Sequence, residues 1–129
     1  KFGKGKLLIM EDEEVVSNVL ASMLSYLGYD YTITKEGSET IEKYKEAKKS
    51  GNPFHLILMD LTIKDGMDGE TAIKEILKVD PEAKVIATSG YSNSPILSEH
   101  RKYGFIDSLV KPYRIETLSE IINKALEKL

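Results

Sequence analysis

The sequence predicts an α/β domain whose parallel sheet is covered by helices on both faces. Two observations carry this: short runs fit for strands alternate five times with amphipathic stretches, and most of those runs are apolar throughout. Continuous apolarity suits a strand buried on both sides, and parallel strands need crossover helices to bury them.

The elements follow in order. Residues 7–10 form the first apolar run, which stops at Glu11, Asp12, Glu13 and Glu14. Val15, Val16, Val19, Leu20, Met23, Leu24 and Leu27 then recur at three- and four-residue steps and predict one helical face, closed by Gly28. Residues 31–35 alternate and are β-branched, as a strand should be. Gly37 and Ser38 open a helix carrying Ile41, Tyr44 and Ala47, which ends at Ser50-Gly51-Asn52-Pro53.

Residues 56–59 are again wholly apolar and run into Asp60. A glycine-containing loop, 64–69, leads to a helix with Ala72, Ile73, Ile76 and Leu77 that Asp80-Pro81 breaks. Residues 85–87 make a fourth strand before Thr88-Ser89-Gly90. A helix is expected over 95–103, with Gly104 as its stop. The fifth strand is 108–110, followed by Lys111-Pro112, and the last helix carries Leu118, Ile121, Ile122, Ala125, Leu126 and Leu129.

Composition narrows the function. The 129 residues suit one domain, able to bury roughly two thirds of its unfolded surface. With no cysteine, disulfides, thiolate metal sites and cysteine nucleophiles are excluded. A net charge of −3 argues against direct nucleic-acid binding, and no apolar run reaches membrane length. Residues 1–6, KFGKGK, read as a linker or tail, leaving 7–129 as the domain.

In parallel α/β sheets the ligand site lies beyond the C-terminal ends of the strands. Glu11 and Asp12 stand there after the first strand, Asp60 after the third, Ser89 after the fourth and Lys111 after the fifth. Three carboxylates gathered in one place repel one another and call for a cation; oxygen ligands without His or Cys suit Mg²⁺. Lys111 and the Ser89 hydroxyl can hold an oxyanion. These are the parts of a phosphoryl-transfer site. Taken singly, each has a plainer reading: an acidic helix start, a turn aspartate, a Ser-Gly turn, a surface lysine.

Four segments in register, IMEDEE, LILMD running to GMDG, VIATSGYS and VKPY, resemble the receiver domain of response regulators, the phosphoacceptor half of two-component signalling. The resemblance covers essentially the whole chain after the first six residues. It implies a CheY-like, flavodoxin-like (βα)5 three-layer sandwich with a five-stranded parallel sheet of order 2-1-3-4-5. It implies phosphorylation of Asp60 by a phosphohistidine on a sensor histidine kinase or histidine phosphotransfer domain. Mg²⁺ would be held by Asp12, Asp60 and the backbone carbonyl of Thr62, with Glu11 helping directly or through water. Ser89 would follow the phosphoryl group, Lys111 would pair with it, and the Lys111–Pro112 bond is expected to be cis. Thr62 and Tyr91 occupy positions that tune dephosphorylation.

The resemblance thus implies a cytoplasmic switch that promotes its own phosphorylation and dephosphorylation rather than a conventional enzyme, with an unspecified output partner. Text around Ser89 and in KPYR is similar to receivers attached to hybrid sensor kinases. Three departures stand out. Glu11 replaces a commoner aspartate, Lys64 a usual proline in a loop one residue longer, and Ser108 a frequent switch aromatic. The rival readings are a pseudo-receiver that binds partners without phosphorylation, and a Mg²⁺-dependent phosphatase of similar architecture. No P-loop, GxSxG or GxGxxG is present.

Overall fold

In a computed structural model of the chain, which describes residues 4–90 and 94–127, strand and helix alternate as expected. The elements are β1 (Lys6–Met10), α1 (Glu14–Leu27), β2 (Asp30–Thr34), α2 (Gly37–Lys49), β3 (Leu56–Asp60), α3 (Gly69–Val79), β4 (Val85–Ser89), α4 (Pro95–Ser98), β5 (Asp107–Val110) and α5 (Ile115–Leu126). A 3₁₀ turn, His100–Tyr103, separates α4 from β5. All strand pairings are parallel and the order is β2-β1-β3-β4-β5.

Side chains leave a strand on alternate faces, so each apolar run feeds two cores. Leu8, Met10, Ile57, Met59, Val85 and Ala87 face one cluster with Tyr44, Ile73 and Ile76 from α2 and α3. Leu7, Ile9, Leu56, Leu58, Ile86 and Leu109 face the other, with Leu20 and Leu24 from α1 and Leu118 and Ile122 from α5. That two-sided burial is why these runs carry no polar residue until their C-terminal ends. Lys6 opens β1, its N–H donating to His55 Nδ1 at 3.0 Å and its ammonium lying 4.4 Å above the Phe54 ring.

Helix ends follow local chemistry. Gly28 adopts φ +90° and gives its N–H to the Ser25 carbonyl, ending α1. The Glu36 carboxylate caps α2 by accepting from the N–H groups of Ser38 and Glu39, and Asp68 caps α3 through Thr71 N–H.

Two expectations change. α1 buries Ser17, Leu20, Leu24 and Leu27, while Val15 is 76% and Val19 47% exposed. At 3.6 residues per turn, Val15 and Val19 lie roughly 140° around the axis from Leu20 and Leu24, beyond the buried stripe. The helix expected over 95–103 breaks after Ser98 into the 3₁₀ turn, and Gly104 at φ +99° closes it. Leu129 and Tyr91 lie outside the described residues.

Candidate functional site

Register brings the strand ends together. Met10 is level with Met59, Asp60 with Thr88, and Ser89 with Val110, so the residues that end β1, β3, β4 and β5 share one edge. Ligand atoms of Glu11, Asp12 and Asp60 lie within 4.8 Å of one another. Glu11 and Asp60 are only 1% and 2% exposed, so the cluster sits at the floor of a cleft and not on an open acidic surface.

Lys111 is the counter-charge. Its Nζ is 2.6 Å from Glu11 Oε1 and 2.9 Å from Asp60 Oδ2, donating a hydrogen bond to the latter. The backbone seats it there, with Lys111 N–H donating to the Ser89 carbonyl and the Lys111–Pro112 bond cis, as expected. Burial alone would depress the lysine's pKa, but the two carboxylates outweigh it and hold it above the ordinary lysine value. For Glu11, burial and then the Asp60 charge push the carboxyl up against the pull of Lys111 and of Glu13 N–H.

Each acid is also aimed by a backbone donor. Thr62 N–H donates to Asp60 Oδ1 at 3.0 Å, Lys64 N–H to Asp12 Oδ2 at 3.0 Å, and Glu13 N–H to Glu11 Oε2 at 3.1 Å. Gly69 lets α3 approach, since a Cβ there would stand 2.6 Å from the Asp60 carbonyl oxygen. An open cleft of about 400 Å³ lined by Asp12, Asp60, Thr62, Lys64, Gly90 and Lys111 leads to the cluster. Three carboxylates offering only oxygen, two of them buried, fit a hard divalent cation.

The structure therefore brings Glu11, Asp12, Asp60 and Lys111 into contact range, with Thr62 beside them and Ser89 buried at the end of β4. Three features of the surroundings escaped the sequence reading. Tyr113, after the cis proline, is buried enough to push its hydroxyl to about 12, against a downward pull from Thr88. With Val15, Val16, Val19 and Pro112 it lines a second, mainly apolar groove of about 350 Å³ beside the first. Glu36 reaches the loop after Asp60, accepting from Met67 N–H at 3.1 Å; no sequence signal announces this contact.

A five-stranded sheet of this order, with acids and one lysine collected at its switch point, defines a receiver-type α/β domain. Residues 7–123 match the response regulator receiver domain, and the chain belongs to that family. It is 34% identical over 120 residues to the chemotaxis protein CheY of Thermotoga maritima, covering 92% of this chain and 95% of that one. CheY of Bacillus subtilis is 31% identical over 122 residues, covering 94% and 97%. Among solved structures, the receiver domain of a sensor histidine kinase from Pseudomonas aeruginosa PAO1, with a magnesium ion coordinated in its active site cleft, superposes with a TM-score of 0.84. It is 24% identical and the match covers 97% of this chain and 99% of that one. The CheY-like receiver of Methanospirillum hungatei JF-1 gives 0.82 at 23% identity, covering 98% and 96%. The chain is a receiver domain of two-component signalling.

Proposed function

We propose that Asp60 accepts a phosphoryl group from a phosphohistidine on a sensor histidine kinase or histidine phosphotransfer domain, and that the new charge resets the surface around α4 and β5. The observation that carries this reading is the placing of Asp60. It is a buried carboxylate at the floor of an open cleft, held on one oxygen by Thr62 N–H and on the other by Lys111.

In the transfer, an Asp60 oxygen attacks phosphorus, the P–N bond breaks with its electron pair passing to the imidazole nitrogen, and an acyl phosphate results. Lys111 then pairs with the phosphoryl oxygens, and Ser89 follows the group and couples it to the α4 side. Asp12, Asp60 and the Thr62 carbonyl would hold Mg²⁺, with Glu11 assisting directly or through water; the oxygen-only donor set and the Pseudomonas receiver's magnesium support this. Bound there, the ion neutralises charge on the carboxylates and the incoming phosphoryl oxygens.

Thr62 and Tyr91 tune the lifetime of the phosphoryl group, so residues 7–129 act as a switch that promotes its own phosphorylation and dephosphorylation. The exposed Val15 and Val19 beside the cleft support a protein donor that packs on α1. Among the described residues no helix is long and apolar enough to cross a membrane, which accords with a cytoplasmic site of action. The likeness to a sensor-kinase receiver supports a hybrid-kinase setting.

Intact-protein mass after incubation with acetyl phosphate tests the reading. The expected result is a phosphoryl adduct that requires Mg²⁺ and is absent from Asp60→Asn. No adduct in the presence of Mg²⁺ would favour a pseudo-receiver that only binds partners.

A further inference from the structure

The loop between β3 and α3 is pinned at two points by side chains from elsewhere in the chain. Midway along it, Lys64 N–H is the donor that orients Asp12, reaching Oδ2 at 3.0 Å. At its far end, Met67 N–H donates to Glu36 Oε1 at 3.1 Å while the Met67 carbonyl accepts from Gly37 N–H at 2.8 Å. Two glycines close this contact. A Cβ on Gly66, itself at φ +108°, would stand 2.7 Å from Glu36 Cγ, and one on Gly37 would stand 2.7 Å from Met67 Cγ.

Glu36 is thus fixed by three N–H donors, two from its own helix and one from the loop. Burial would raise its carboxyl, but the donors of Ser38, Met67 and Glu39 prevail and hold it below the usual carboxylate range. A carboxylate so held is a rigid anchor. Between the two donors, Lys64 N–H and Met67 N–H, run only Lys64, Asp65 and Gly66, at most about 11 Å of chain, so a shift of Met67 is passed on to Lys64 with few residues to absorb it.

We propose that Glu36, outside the acidic cluster, is a positioning residue for cation binding: by holding Met67 it keeps Lys64 N–H on Asp12 and so sets the aim of one metal-ligating carboxylate. This rests on the reading that Glu11, Asp12 and Asp60 take a divalent cation. Groups that orient metal ligands commonly cost tenfold or more in affinity when lost, and Glu36 acts one step further out.

Glu36→Asp separates this role from helix capping. Aspartate remains a good N-cap for Ser38 and Glu39, but one methylene fewer withdraws it from Met67 N–H. The experiment titrates Mg²⁺ into wild type and variant by calorimetry, and follows thermal melting and amide exchange at Lys64 in the metal-free proteins. The expected result is an unchanged melting temperature, faster Lys64 exchange, and a Mg²⁺ dissociation constant raised about threefold to tenfold.

Lys64→Pro brings in the proline usual at this position but, in this longer loop, deletes the donor on Asp12 without touching the cap, and should raise the dissociation constant similarly; Lys64→Ala keeps the N–H and should not raise it. Weaker Mg²⁺ binding in both Glu36→Asp and Lys64→Pro, with faster Lys64 exchange in Glu36→Asp, upholds the proposal. Weaker binding in Lys64→Pro alone overturns the role of Glu36. Wild type that binds Mg²⁺ alongside a Glu36→Asp variant with unchanged affinity and exchange overturns this proposal alone. Wild type that takes no Mg²⁺ overturns the cation reading and this proposal with it.

Discussion

The Ser108 hydroxyl on β5 donates to the carbonyl of Leu97 on α4 across 2.9 Å. His100 Nδ1 lies 3.3 Å from the same oxygen, so side chains engage that carbonyl where α4 gives way to the 3₁₀ turn. Side-chain donors that take up a carbonyl near a helix end compete with continuation of the helix, which accounts for the break after Ser98. Ser108→Ala is expected to lower stability by about 1 kcal/mol and to speed amide exchange over residues 97–103. Unchanged exchange there would show that the contact holds nothing.

Lys111 holds two buried carboxylates, and removing it leaves both without their cation. Breaking a buried pair from one side costs about 3 kcal/mol or more. Lys111→Met, which keeps most of the volume, should therefore melt well below wild type without divalent cation. Mg²⁺ should then raise its melting temperature more than it raises that of wild type, because the ion replaces the lost charge. Equal Mg²⁺-induced shifts in the two proteins would contradict the shared site.

Tyr44 on α2 donates to Asp80 Oδ2, beyond the end of α3, at 2.7 Å, with Lys48 3.7 Å from the same oxygen. Burial and then the Asp80 contact raise the tyrosine's pKa above its usual 10.0. In Asp80, burial acts upward but the Tyr44 hydroxyl, Glu82 N–H and Lys48 bring it below its usual 3.8. The stability from Asp80 is present above pH 3.8 and is lost as pH falls through its lower folded value. That from Tyr44 is fully present below pH 10.0 and is lost as pH rises through its higher folded value. Tyr44→Phe should cost about 1–2 kcal/mol at neutral pH and flatten both limbs of the stability–pH curve. Melting curves across pH check this, and limbs of unchanged slope would refute it.

Val15 and Val19 occupy solvent on α1, where alanine is the better helix former. Val15→Ala with Val19→Ala should leave the protein as stable as before or slightly more so. Phosphoryl transfer from a phosphohistidine protein should slow several-fold as the apolar contact is lost, measured as the initial rate of labelling. A doubly substituted protein that is labelled at the wild-type rate would place the donor elsewhere.

The strands and the acid–lysine cluster were legible because each is written locally: an apolar run cut by a charged or hydroxyl residue marks both a buried strand and what its end presents. Asp60 after LILM and Lys111 after SLV needed no long-range information. The misses are long-range. Which valines of α1 face the sheet depends on how the helix is rotated, and the end of α4 depends on Ser108, which arrives from the next strand. Glu36 stands in the sequence only as the residue before a helix opened by Gly37 and Ser38, with nothing to mark it. Its reach to Met67 exists only because α2 and the loop after β3 meet above the sheet.

Locating the phosphoryl group tests the central claim most directly. Borohydride reduces an acyl phosphate to an alcohol, so protein phosphorylated in Mg²⁺ and acetyl phosphate, then reduced and digested, should carry homoserine at position 60 and at no other aspartate. Reduction at Asp12 or another carboxylate, or none at all in protein that carries the adduct mass, would contradict the account.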